Sequence, residues 1–235
     1  MQSYFIWNGI DSRAMGVVTR RHAPLICPEE RVAHVQIPGR SGDLTETEGE
    51  NIYNSYIQTV GFSVTDGSRV RDVFCWLRGE GKVSFSSEPS LEQEARVIGA
   101  VTLERVSRNL DHWAGQVQFY CQPLKKRIYD VAETLTASGT VRNNGDVDAY
   151  PVILATRSTN ATSMTVTVNG DTFTISNVDG NRRIDCGAME VTDALRTVLC
   201  TIDSSGPFPV LHPGSNTIAG SGWTKLEIYK NERFL

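Results

Sequence analysis

Residues 164–175 read MTVTVNGDTFTI: threonine alternates with valine, phenylalanine and isoleucine on either side of Asn169-Gly170. Side chains of a strand point alternately to two faces, so each arm of this segment offers one apolar and one polar face. Asn-Gly accepts the positive φ angles of a type I′ turn, the tightest join between two antiparallel strands. The segment is therefore a β-hairpin with one face for a core. Outward from it, NNG at 143–145, DG at 179–180, SGP at 205–207 and HPG at 212–214 mark further turns between short apolar runs. Strands separated by such turns predict a β-sandwich.

The composition shifts near residue 130. Residues 131–235 contain 15 threonines against 6 in residues 1–130, although the second stretch is shorter. A boundary falls between Pro123 and Val131, across the basic KKR at 125–127, which divides the chain into domains 1–130 and 131–235. The first domain is also β. From Ser55 to Val64 one face reads Tyr56, Gln58, Val60, Phe62 and Val64, and residues 32–37, 82–86, 96–103 and 115–121 are β-branched or aromatic runs with stretches of period two. One segment reads as a helix. In Ser68–Leu77, Val70, Val73, Phe74 and Leu77 fall at i, i+3, i+4 and i+7, with Asp66 or Ser68 to cap the start and Gly79 to take a left-handed C′ conformation. Its apolar stripe should lie on a sheet. Glu88–Glu94 is expected to add a short helical turn.

The chain has 235 residues, 40% hydrophobic and 21% charged, with a formal net charge of −4. Those are the proportions of a globular protein with a packed core. The mild negative balance argues against a nucleic-acid binder, which would carry a basic stripe. Five cysteines with no C-x-x-C pair fit neither a disulfide framework nor a zinc site, and are expected to be free thiols. The opening MQSYFIW has no basic residue before its apolar stretch and no run approaches a membrane span, so neither a signal peptide nor an anchor is expected, and the protein is expected to be made in a cytoplasm.

Six strings, in order, carry a resemblance. These are YFIWNGIDS followed by MG (4–16), VQIPGRSGDL (35–44), WLRGEGKV through SEP (76–89), NNGDVDAYPVI (143–153), GPFPVLHPGSN (206–216) and IYKNERF (228–234). Together they resemble the distal tail (Dit) proteins of siphophages. The resemblance implies a mainly β protein. Its N-terminal domain would be a tail-tube-like β-barrel or sheet with one helix, and its C-terminal domain a galectin-like β-sandwich of jelly-roll type. It also implies a structural role in the virion tail tip: a homo-hexameric ring joining the tail tube protein to the tail-tip hub, with DNA only as passing cargo. The outer domain would be free to hold receptor-binding or side-fibre proteins, and synthesis would be in the bacterial host cytoplasm.

Candidate site residues follow from charge and turn chemistry. The segment from Asp43 through Glu46 and Glu48 to Glu50 is the densest local charge, directly after the turn at Pro38, Gly39 and Arg40. Either it is a solvated hairpin flank, or it reaches a neighbouring subunit or lines the ring, where negative charge would keep DNA sliding. The basic residues Arg20, Arg21 and His22, like 125–127, are candidates to pair with acidic loops of an adjacent protomer. The alternative function is a carbohydrate-binding adhesion module contacting host glycans, with Trp223 as the sugar contact. Against it, Glu227 sits one place too far from Trp223 for the galectin pattern, which on a strand turns it to the opposite face. No nucleophile elbow, phosphate-binding loop, zinc-protease motif or dinucleotide fingerprint occurs. Asp111-His112 is an isolated acid–histidine neighbour, and Asp146 and Asp148 are too few oxygens for calcium. No catalytic, metal or cofactor site is expected.

Overall fold

The structure is a computed structural model and describes residues 3–47, 49, 51–107 and 109–235. The chain divides into two compact units, one running through Ile128 with Leu235 added, the other Tyr129–Phe234. Among the described residues no helix is long and apolar enough to cross a membrane.

The first unit is an antiparallel sheet. Its strands run in the order Ile10–Asp11, Phe5–Trp7, Glu80–Phe85, Leu91–Arg105, Trp113–Cys121, Tyr56–Val64 and Val17–Thr19, and Lys125–Arg127 adds to the start of Leu91–Arg105. Tyr56–Val64 pairs with Trp113–Cys121 along its whole length, from Tyr56↔Cys121 to Val64↔Trp113. The alternation read from the sequence sets which face is covered: Gln58, Val60, Phe62 and Val64 are all buried. From the partner strand Val117, Phe119 and Cys121 join them, while Gln118 and Tyr120 turn to the open face.

Helix Val70–Trp76 follows a 3₁₀ turn at Gly67–Arg69, which Asp66 caps by accepting from the Ser68 amide at 3.0 Å. Val73 and Leu77 are buried on the sheet as the spacing predicts. Leu77 ends the helix, so the left-handed Gly79 (φ +72°) sits one residue beyond the C′ position expected for it. The helix is fastened at its last residue. Trp76 stacks on Phe5 with ring centroids 5.4 Å apart. The indole nitrogens of Trp7 and Trp76 each donate to the other residue's carbonyl, at 3.1 and 3.3 Å.

The helical turn expected at Glu88–Glu94 does not form. Residues 86–90 make a turn, and from Leu91 the chain is a strand, with Gln93 and Ala95 buried and Glu94 opposite Lys82. The ladder to Glu80–Phe85 outweighs the weak helical preference of the glutamates and the glutamine, an ordinary tertiary override of propensity.

The second unit is a sandwich of two five-stranded antiparallel sheets. One has the order Glu133–Leu135, Trp223–Tyr229, Val152–Arg157, Arg182–Asp185, Glu190–Asp193; the other Gly139–Asn143, Gly214–Ser221, Met164–Val168, Asp171–Ile175, Ser204–Ser205. The 164–175 hairpin has the register its sequence requires, Met164↔Ile175 through Val168↔Asp171, with Asn169 and Gly170 both at positive φ. Its inward residues meet Ile153, Ile184, Leu226 and Ile228 of the facing sheet in one core. The NNG string is a lock as well as a turn. Buried Asn143 donates its amide to the carbonyls of Val147 and Leu211 and accepts from the Gly145 amide at 2.8 Å.

Phe119 contacts three rings, those of Phe5, Trp7 and Phe85, with centroids 5.2–6.0 Å away. Phe119→Ala should cost about 3–5 kcal/mol of stability, read as a lowered urea midpoint. Cys27 and Cys75 are exposed, whereas Cys121, Cys186 and Cys200 are buried, and burial pushes the Cys121 thiol up to about 12. A thiol reagent should therefore label two cysteines in the native protein and five after unfolding.

Candidate subunit interface

Strands Val32–Val35 and Leu44–Thr47 pair only with each other, in the register Val32↔Thr47 to Val35↔Leu44. At their base the two arms are tied by Arg31 N–H donating to the Ile52 carbonyl and Asn54 N–H to the Glu29 carbonyl, both at 2.8 Å. At their tip the Pro38-Gly39 string is a type II turn. Proline supplies the first central position, Gly39 the second at φ +84°, and Arg40 N–H closes it on the Ile37 carbonyl at 3.2 Å. Pro38, Gly39, Arg40, Asp43 and Glu46 all lie on this ribbon and are all exposed. Glu48 lies outside the described residues. The apolar Val35 and Ile37 are also exposed, and a two-stranded ribbon in water without a packing partner is marginally stable at best.

The ribbon concentrates charge. Residues 29–50 contain six acids against two arginines, a balance of −4, which is the formal charge of the whole chain. The remainder of the protein is neutral.

The open face of the first unit's sheet carries a groove that no sequence pattern announced. Two depressions share Arg20 and Gly61. One is bordered by Arg21 and His22, the other by Arg105, with Glu104 as the acid between them. Arg20 is steadied by its Nε donating to the Ser63 hydroxyl at 3.3 Å. The floor is low because it is glycine: a Cβ on Gly115 would lie 1.9 Å from the Thr102 carbonyl oxygen, where the register of Leu91–Arg105 shifts between Ile98 and Thr102. Arg20, Arg21 and His22, adjacent in sequence, were visible as a basic cluster. Arg105 reaches them only through the sheet.

The other sequence candidates are engaged locally, within their own units. Trp223 is half-buried against the sandwich core and its indole nitrogen donates to the Thr165 carbonyl at 3.0 Å. Glu227 pairs with Lys225 at 3.2 Å. Asp111 does not serve His112; it accepts from the Gly67 amide at 2.8 Å and the Trp113 indole at 3.0 Å. The acid–histidine pair that does form joins residues 64 positions apart, Asp148 and His212 at 2.8 Å. Among the described residues no three histidine, cysteine, aspartate or glutamate side chains are grouped to hold a metal ion.

No family model matches the sequence, and no curated protein matches it. Among solved structures, the Dit protein (gp 19.1) of SPP1, described as a paradigm of the hub adsorption apparatus in phages infecting Gram-positive hosts, superposes with a TM-score of 0.77. The match covers 100% of both chains at 17% identity. The chain has the distal tail protein fold. That fold, mainly β with one helix and several antiparallel sheets, is the one the ordered strings imply.

A side chain at Gly115 should be costly. Gly115→Ala would push the Leu91–Arg105 and Trp113–Cys121 strands apart and is expected to lower stability by about 1–3 kcal/mol, measured by thermal unfolding.

Proposed function

We propose that this protein is a structural component of a phage tail tip, a distal tail protein without catalytic activity. Copies of it form a hexameric ring that joins the tail tube to the tip hub and lets DNA pass. The observation that carries the reading is the fold likeness to a Dit protein over the whole of both chains. The hexamer, the tube and hub as neighbours, and the virion tail tip as location come from the family that the six sequence strings resemble. So does the assignment of residues 1–130 to ring formation and of 131–235 to a galectin-like outer domain that holds receptor-binding or side-fibre proteins.

Two features support a ring contact. Among the described residues the ribbon's two strands join no other sheet and its Val35 and Ile37 are exposed, and the groove around Arg20 and Arg105 offers opposite charge and a glycine floor. A ribbon on one surface meeting a groove on another is a heterologous contact, which closes into a ring when the rotation divides a full turn. Asp43 and Glu46 on the ribbon, with the acidic run that continues through Glu48 in the sequence, would face Arg20, Arg21 and His22 of the next copy, with the Pro38-Gly39-Arg40 turn setting the reach.

Negative-stain microscopy and light scattering of the purified chain test this. Rings of six are expected, and Glu46→Lys with Glu48→Lys should weaken assembly about tenfold or more, an effect that rising salt reproduces in the wild type. Normal rings with slowed genome ejection would instead put the ribbon on the lumen. A single chain in solution, persisting beside the tube and hub proteins, would overturn the proposal. The rival reading, a glycan-binding module, draws no support from Trp223, whose indole is committed to the Thr165 carbonyl. No saturable signal is expected on a glycan array.

A further inference from the structure

The second unit carries an apolar edge that its own core does not use. Glu190–Asp193 is the end strand of its sheet, and the chain then turns back along it. Cys200 N–H donates to the Val191 carbonyl at 2.7 Å and Asp193 N–H to the Val198 carbonyl at 3.1 Å, around the bridge Thr192↔Leu199. Val191 and Cys200 face inward and are buried. Around them Met189, Leu195, Val198, Leu199 and Ile202 stand 64, 81, 58, 64 and 94% exposed. This is a built loop. The Asp193 carboxylate accepts from the amides of Thr197 and Val198 at 2.6 and 2.9 Å and from the Thr197 hydroxyl at 2.6 Å. Its charge is thus turned onto the loop's own backbone, and the apolar chains are what the loop displays.

We propose that this edge, residues 189–202, is a contact between two copies of this chain related by a two-fold axis. Three observations favour a second copy as the occupant. The exposed apolar chains together present on the order of 600 Å², at the upper end of what a monomer leaves as one patch and most of one partner's share of a standard interface. In the Thr192↔Leu199 bridge the two ladder bonds flank the pair, so the N–H and C=O of Leu199 point away from the sheet. An edge meeting its own copy antiparallel satisfies both groups in each chain at once. Finally, the border carries both signs, Arg196 against Glu190 and Asp203, so a copy meets a copy without an excess of like charge.

The inference does not rest on the ring. If rings form, the contact joins one ring to another; if they do not, it joins two chains. In either case sedimentation or light scattering of the full-length protein at tens of micromolar should show Leu195→Ser with Ile202→Ser halving the particle mass. These side chains are exposed, so the fold is expected to survive, checked by an unchanged circular dichroism spectrum. A chain with Leu199→Cys in a Cys27→Ser, Cys75→Ser background should form a disulfide-linked dimer on mild oxidation, appearing at twice the mass on a non-reducing gel. Equal masses for wild type and double variant, or no cross-linked dimer, would overturn the proposal. Equal masses would leave the edge to a different protein. The ring is judged separately by the Glu46 and Glu48 variant.

Discussion

Every antiparallel ladder in this protein ends somewhere, and a strand with a neighbour on one side only leaves half of its peptide groups facing water. The positions of those ends organise the molecule. Inside each unit the ladders are closed over by aromatic and aliphatic packing: Phe119 among three rings in the first, the Met164–Ile175 hairpin against the facing sheet in the second. At the margins they are not. The ribbon 32–47 leaves the sheet altogether, and the 198–200 return strand borders its sheet with no lysine or proline to blunt it. Both are exposed edges of the kind to which another strand can add.

The fold was legible wherever one physical pattern governed a whole segment. Alternation over Tyr56–Val64 and 164–175 stated both the strand and the buried face, because period two admits a single solution when one face is covered. The helix was legible from four apolar positions. The strand at Leu91 was not, since its glutamates suit either state locally and only the partner strand Glu80–Phe85 decides between them. The same reason hid the end of the helix, where reciprocal bonds between Trp7 and Trp76 join residues 69 positions apart.

The candidate interface was legible in part. The Pro38-Gly39 turn and the acidic run announced a hairpin tip, since proline and a positive-φ glycine in that order leave few other conformations. That the ribbon would stand without a packing partner was not in its sequence. Nor was the groove, which is made by Arg20 just past one strand, Arg105 at the end of another and a glycine whose missing side chain is recognised only when the opposing carbonyl is known. Leu195, Val198, Leu199 and Ile202 are residue types that fill cores elsewhere, and only the course of the chain puts them outside.

The concentration of the whole formal net charge in residues 29–50, the stretch that contains the ribbon, has an electrostatic consequence for how two copies would approach one another. Two copies approaching through this stretch carry like fields and drift apart, whereas the stretch approaching the neutral remainder of another copy meets no such barrier, and near Arg20 is drawn in. Diffusion is thereby biased, before any contact is made, towards orientations in which unlike surfaces meet. A charge placed to one side in this way disfavours mirror-like pairing through that stretch, and it does so at the range of the ionic atmosphere instead of the range of a hydrogen bond.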